Sequence, residues 1–578
     1  MQLKETINGL QLIQKWKGNV CKLWIYNPSD TKKTVSELEI YENGMPFSPD
    51  TKCYGEGYNK LCQYGGNIAK FNMTGSHGDE KHYHLFSEEG YSQCYNMILF
   101  MPEGNDAVLM GFTSCNRFSG IFRFNEEKIR ILINMENMEI QPGEILELEQ
   151  FFSATGEKNE LLKAFGEEIK GNGCIFEDHE IPTGWCSWLA YGPNVTEENI
   201  YDNLHAIKEN GLDLKYIQID DGYQTYMGDW LYPTDKFKSG MKQLCLDIKK
   251  EGFEPAIWVA PFIAQKESRL FTEHPDWFVK DEEGKPVPSS RYTFGGWRCG
   301  PWYMLDGSHP EAQRYLTEVF RTMREDWNIK YYKLDANMWG AMPFGNRFKK
   351  NVTSVEAYRM GMQAILKGAG KESFLLGCNA PMWPSIGMVH GMRITNDMSR
   401  SYKAFRERAL ECFPRNWQNG RLWINDPDTV LLDNRDMILL GPDGKNTIQN
   451  GTVSWKEFLF CASYVMASGG MILNGDCICV LSKEQIGVLK KMLPSTGIAA
   501  EFNDSYEIGW IQQSQKKRRL FLFNYEEEKK DYQVEVLPGE RVKDFWSGKE
   551  ETALGGRYHV MLDGHSAKIV DFFSEETF

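Results

Sequence analysis

Short runs with apolar residues at every second position open the chain. "CKLWIYN" and "KIRILINM" alternate in this way, and turns rich in Gly, Pro and Asn separate them, as expected for strands with one buried face. The pattern predicts an N-terminal β-sandwich over 1–171. It closes with a linking helix, "GEKNELLKAFGEEI", which puts Leu161, Leu162 and Phe165 on one side. From Pro182 the rhythm changes to strand, helix, strand, helix. "GWCSWLAY" reads as a strand, followed by a helix that starts near Thr196, carries Ile200, Leu204 and Ile207 on one face and is closed by Gly211. "YIQID", the helical "MKQLCLDIKKEG" and "PAIWVA" come next, then a helix opened by Pro310 and "KYYKLD". "SFLLGCN", "GMRIT", "RLWIND" and "GGMIL" complete eight strands. Alternation of this kind predicts a (β/α)8 TIM barrel over 172–497, with a doubly wound open sheet as the alternative. After Ile498 the pattern is all-β again, so 498–578 reads as a small C-terminal antiparallel β domain.

Composition narrows the class. At 578 residues the chain is too long for one core, and 42% hydrophobic with 25% charged residues suits a globular protein. A formal charge of −15 argues against nucleic acid, which requires a basic face. Fourteen Cys without a CxxC pair read as reduced thiols, and the N-terminus lacks the apolar core of a signal peptide, which points to the cytoplasm. The uncharged run over 458–473 is shorter than the roughly 20 residues of a membrane span and reads as a buried helix entering a strand. No membrane partner is expected.

In a barrel the chemistry lies at the C-terminal ends of the strands. Here those ends carry Trp188, Asp220 and Asp221, Trp258, Asp335, Cys378 and Asn379, Asp397, and the Asn425–Asp428 stretch, while the strand interiors are apolar. Metal-ligand spacings such as HExxH are missing, as are Walker A and GxGxxG loops, so no metal or nucleotide cofactor is expected. What remains is carboxylates, a Lys, an Arg and indoles, the parts of a glycoside hydrolase. Alternation puts Lys333 and Asp335 on one strand face, where the ammonium keeps the carboxylate ionised, as a nucleophile needs. A salt-bridged pair sealing the barrel floor is the plainer reading. Arg393 and Asp397 lie on the second strand after it, and Asp397 is a candidate general acid or, more simply, a helix N-cap.

At these residues the chain resembles glycoside hydrolase family 36, the bacterial α-galactosidase family within a clan of retaining α-glycosidases. "GWCSW", "IDDGYQ", "IWVAPF", "HPDWFVKD", "LDGSHPEA", "YYKLD" and "NDPD" carry the resemblance. It implies Asp335 as nucleophile and Asp397 as acid/base, about 5–5.5 Å apart. Asp220 and Asp221 would grip sugar hydroxyls, Lys333 and Arg393 would line that subsite, Trp258 would wall it, and Cys378 would sit near the sugar 2-position. The substrate implied is an oligosaccharide with a terminal α-linked galactose, and the oligomeric state stays open. Two departures unsettle the sugar. Asn379 stands where the family usually has glycine, and "RITND" replaces "RIGPD". An α-N-acetylgalactosaminidase and a transglycosylase acting on α-galactosides are therefore alternatives, as is a sugar-binding protein without turnover. The family often lends an aromatic from the N-terminal domain to the site, and Tyr58 is the candidate here.

Overall fold

The computed structural model describes residues 2–440, 446–449 and 451–574. Eight strands form one nearly closed parallel barrel sheet: β1 (Thr183–Cys186), β2 (Tyr216–Ile219), β3 (Glu254–Val259), β4 (Tyr331–Leu334), β5 (Phe374–Gly377), β6 (Gly391–Arg393), β7 (Ile424–Asp426) and β8 (Ile472–Asn474). Their order in the sheet is β7-β6-β5-β4-β3-β2-β1-β8. Each strand coincides with one of the eight apolar runs read from the sequence. They are almost wholly buried, which is why the runs are continuous rather than alternating.

The intervening helices follow from their caps and stripes. In α1 (Glu197–Glu209), Thr196 accepts from the Asn199 N–H at 3.2 Å while the Asn199 side chain accepts from the Thr196 N–H at 3.1 Å, a reciprocal cap. Ile200, Leu204 and Ile207 of α1 are buried. Further on, α2 (Met241–Lys250) buries Leu244, Cys245 and Ile248, and α3 (Pro310–Glu325) opens on its proline and buries Leu316, Val319 and Phe320. The helices α4 (Ser354–Ala369), α5 (Tyr402–Cys412) and α6 (Trp455–Ala467) complete the set that bears on the site. The uncharged run over 458–473 is the body of α6 leading into β8, as its composition suggested. Among the described residues, no helix is long and apolar enough to cross a membrane.

"GWCSWLAY" departs from its strand reading. The strand ends at Cys186, and Trp188–Tyr191 is a helical turn. Ser187 takes helical backbone angles, with its Oγ accepting the Asp220 N–H at 2.9 Å, so the chain turns where the apolar pattern runs on.

Before the barrel, thirteen strands form one branched antiparallel sheet, its core built from residues such as Phe112, Phe122, Phe151 and Ile131. The helix Lys158–Lys170 follows it. After the barrel, a six-stranded antiparallel sheet and a two-stranded ribbon enclose Leu520, Leu522, Val570 and Phe572. Packing groups the chain into two compact units. The first is Met1–Ile175, Gln224–Tyr232 and Val259–His390, and the second is Phe176–Tyr223, Pro233–Trp258 and Gly391–Phe578.

Candidate active site

In the first unit, the end of β4 delivers Asp335. Its N–H donates to the Val259 carbonyl at 2.8 Å, and its side chain is 7% exposed. Two donors fix one carboxylate oxygen: the Ala336 N–H reaches Oδ1 at 2.7 Å and the Asn379 amide reaches the same atom at 2.9 Å. Both donor residues hold left-handed backbone, with φ of +53° at Ala336 and +39° at Asn379. A non-glycine residue in that region is strained, and two of them beside one carboxylate mark the kind of place where strain serves geometry. Lys333 is buried on the same strand.

Cys378, at the end of β5, donates its N–H to the Leu334 carbonyl at 2.7 Å, and the Lys60 ammonium donates to its Sγ at 3.5 Å. Lys60 comes from the N-terminal sheet domain and is 1% exposed. Its loop is fastened to the barrel segments. The Met382 N–H donates to the Tyr58 carbonyl at 3.0 Å, Asn59 bridges to Pro381, and the Tyr58 hydroxyl donates to the Ala341 carbonyl at 3.2 Å. Tyr58 is thus a buried strut, and Lys60 is the residue of this loop that reaches the strand ends. Sequence reasoning missed it, because a lysine in a turn gives no sign of burial.

Behind the loop, Asp79 lies beneath the Tyr58 N–H at 3.3 Å and accepts from the Tyr64 hydroxyl at 3.3 Å. Burial pushes its carboxyl up to about 7. Tyr83 stands beside the same cluster. Burial, followed by nearby negative groups that include Asp79 and Asp335, holds its phenol well above the ordinary range.

In the second unit, β2 ends in Asp220 and Asp221, each 1% exposed. Asp220 is held firmly: Oδ2 accepts from the Gln218 amide at 2.8 Å and the Cys186 thiol at 3.4 Å, and Oδ1 accepts the Asp221 N–H at 2.9 Å. Gly222 follows at φ +120°, where a Cβ would lie 2.5 Å from the Pro193 carbonyl oxygen, so only glycine fits that turn. Trp258, near the end of β3, is 1% exposed, and Trp188 is half-buried at the start of its helical turn.

Arg393 ends β6 and is 2% exposed. Its Nη2 reaches Asp428 Oδ2 at 2.5 Å, Asp397 Oδ1 at 3.0 Å and the Asn396 carbonyl at 3.1 Å. Asp397 differs from its partners, with a side chain 52% exposed. It caps no helix, since Ser401 fills that role for α5. Its backbone is fixed all the same, with the Arg408 guanidinium donating to its carbonyl at 2.9 Å and the Asn396 N–H donating to Glu411 at 2.8 Å. Asp428, which the sequence placed only on the rim, shares Arg393 with Asp397. Thr395 and Asn396, the departures from the family pattern, therefore form part of the Arg393 cradle, with Thr395 Oγ1 3.4 Å from Arg393 Nε.

Residues 150–373 match the melibiase family model. The chain carries a melibiase domain. The match spans Trp188, Asp220, Asp221, Trp258, Lys333 and Asp335 and stops short of Cys378, Asn379, Arg393 and Asp397. Among curated proteins, the chain is 22% identical over 341 residues to an A type blood α-D-galactosamine galactosaminidase of Flavonifractor plautii, covering 54% of this chain and 31% of the relative. It is 29% identical over 156 residues to an α-galactosidase of Escherichia coli, covering 25% and 21%. The matched stretches thus span less than a third of these relatives' own length. Among solved structures, an α-galactosidase from Lactobacillus brevis superposes with a TM-score of 0.70 at 14% identity, over 98% of this chain and 80% of that one. The α-galactosidase of Thermus thermophilus in complex with p-nitrophenyl α-D-galactopyranoside gives 0.62 at 19% identity, over 88% and 98%. These likenesses carry the multidomain fold and its barrel.

Proposed function

We propose that the melibiase domain hydrolyses terminal α-galactosyl residues of oligosaccharides by double displacement. The observation that supports this best is Asp335 at the end of β4, with one oxygen fixed by the Ala336 N–H and the Asn379 amide. A nucleophile must be oriented before it attacks, and two donors on Oδ1 hold the carboxylate in one orientation at the end of the strand. In the first step, the other oxygen of Asp335 bonds to the anomeric carbon while Asp397 gives its proton to the departing glycosidic oxygen. Asp397 then takes a proton from water, whose oxygen displaces Asp335 from the anomeric carbon with retained configuration. The 52% exposure of the Asp397 side chain suits a group that exchanges protons with water between turnovers.

Asp220 and Asp221 act as acceptors for sugar hydroxyls, each such bond worth about 1.5–3 kcal/mol. Because Gln218, Cys186 and Asp221 fix the orientation of Asp220, it discriminates between epimeric hydroxyls rather than following them. Trp258 supplies an apolar wall, and Lys333 and Arg393 supply donors. The fourteen cysteines are thiols outside any disulfide and mostly buried, which favours a reducing compartment such as the cytoplasm. An amino-sugar substrate is the second reading, favoured by the Flavonifractor plautii relative's name and by the side chain at Asn379.

The test is initial-rate hydrolysis of the 4-nitrophenyl α-glycosides of galactose, N-acetylgalactosamine and glucose by wild type and Asp335→Ala. The galactoside is expected to be cleaved by wild type, with the rate falling about 10⁴-fold or more in the variant and partly restored by azide. Cleavage of the N-acetylgalactosaminide alone would keep the mechanism and move the substrate. An Asp335→Ala protein with wild-type activity would sink the proposal.

A further inference from the structure

Within the first unit, one group of aromatic rings runs from the turn after Asp335 out to solvent. Trp339 lies four residues after Asp335 in the turn Asn337–Ala341 and is 1% exposed. Around it, ring centroids lie 5.2 Å away at Trp302, 6.0 Å at Trp297, 5.5 Å at Phe294 and 6.2 Å at Tyr83. Trp302 and Tyr83 are wholly buried, whereas Trp297 is half-buried and Phe294 is 41% exposed. His82 packs on Phe294 at 4.3 Å, and burial holds its imidazole down to about 3, so this ring is neutral at physiological pH. The outer rings therefore stand on a buried aromatic base formed by Trp339, four residues after Asp335, and by Tyr83, whose phenol feels the Asp335 charge.

The loop carrying Phe294 and Trp297 is also preorganised. The Ser289 N–H donates to the Trp302 carbonyl at 2.7 Å, the Trp302 N–H to the Gly295 carbonyl at 3.0 Å, and the Trp302 indole to the Arg298 carbonyl at 2.8 Å. Gly295 and Gly296 take φ of +88° and +119°, and a Cβ on Gly296 would lie 2.6 Å from the Trp302 ring. The loop is thus wound on Trp302 and closed by backbone bonds. An isolated exposed phenylalanine is unremarkable on a protein surface. Here it shares a fastened loop with a half-buried tryptophan, both rings pack on Trp339, four residues after Asp335, and apolar surface so placed is suited to a ligand.

We propose that Phe294 and Trp297 form the leaving-group subsite, stacking on the apolar face of a neutral sugar joined to the residue that Asp335 attacks. The inference rests on the α-galactosidase reading of the site. A pyranose presents a face of C–H bonds that packs on aromatic rings, and a tethered platform binds it with little ordering cost. Binding energy from this second sugar then serves the reaction at the first.

The experiment compares kcat/KM for an α-galactosyl disaccharide with that for α-galactosyl fluoride, whose leaving group is too small to reach the platform. In Phe294→Ala and in Trp297→Ala, the disaccharide-to-fluoride ratio is expected to fall about tenfold or more. Phe294→Tyr, which keeps the ring, is expected to retain the wild-type ratio. A ratio unchanged in both alanine variants overturns the subsite and leaves the α-galactosidase reading standing. A wild type that cleaves the fluoride and not the disaccharide overturns it too. A wild type that cleaves neither removes the α-galactosidase reading, and the subsite with it.

Discussion

Asn379 combines two unfavourable features that make sense only together. Its backbone is left-handed at φ +39°, and its side chain is committed to Asp335 Oδ1 at 2.9 Å. Its carbonyl also accepts the Met338 N–H at 2.7 Å, which joins the turn after β4 to the turn after β5. Asparagine tolerates this conformation better than most residues, and glycine would adopt it without strain. Asn379→Gly should therefore keep the backbone and lose only the bond to the carboxylate. A hydrogen bond to a charged group contributes about 1.5–3 kcal/mol, so kcat on the 4-nitrophenyl α-galactoside is expected to fall about tenfold to a hundredfold. Wild-type kcat in this variant would mean that the amide does not position Asp335. Asp335 itself was legible as a polar residue ending an apolar run. The amide that holds it was legible only as a departure from a family pattern, because its partner lies 44 positions away in sequence.

At the scale of elements, a bulge in the N-terminal sheet caps a barrel helix. The strand Lys128–Ile140 shifts register against Lys33–Gly44 between Asn134 and Met138, and Glu136 and Asn137 take positive φ there. The break releases Glu136 to accept the Ser354 N–H at 2.7 Å and the Ser354 hydroxyl at 2.5 Å, at the first turn of α4. A carboxylate on that N–H meets both its bonding need and the helix dipole. Glu136→Ala is expected to cost about 1–3 kcal/mol and lower the thermal midpoint, measured by circular dichroism. An unchanged midpoint would show the cap to be dispensable. All eight barrel strands were readable because a short, fully buried strand is a continuous apolar run bounded by polar residues. This cap was not, because two residues out of register leave the alternation of "KIRILINM" untouched and its target lies 218 positions on. Trp188 marks the converse failure, where an apolar run continued through a turn that a side-chain hydroxyl dictates.

For the molecule as a whole, the buried acid at Asp79 ties stability to pH. It supports the N-terminal loop that brings Lys60 to Cys378, and burial raises its pKa from 3.8 to about 7. A raised carboxyl pKa means that the folded state holds this proton more tightly than the unfolded chain does. As pH rises from about 4 to 7, the unfolded chain releases the proton first, so the contribution of Asp79 to stability declines across that window. Above pH 7 the ionised group remains buried and the full penalty persists. With a folded pKa of about 7, the loss between pH 5 and pH 8 comes to about 3 kcal/mol, at roughly 1.4 kcal/mol per pH interval traversed. The formal charge of −15 adds self-repulsion that also grows as carboxylates ionise. That background is common to wild type and Asp79→Asn, which keeps a neutral side chain of the same size, so their difference isolates the buried acid. The midpoint of Asp79→Asn minus that of wild type is expected to be more positive at pH 8 than at pH 5. A difference independent of pH would show that Asp79 titrates alike in folded and unfolded chains, and that the Tyr58 loop is held without a buried proton.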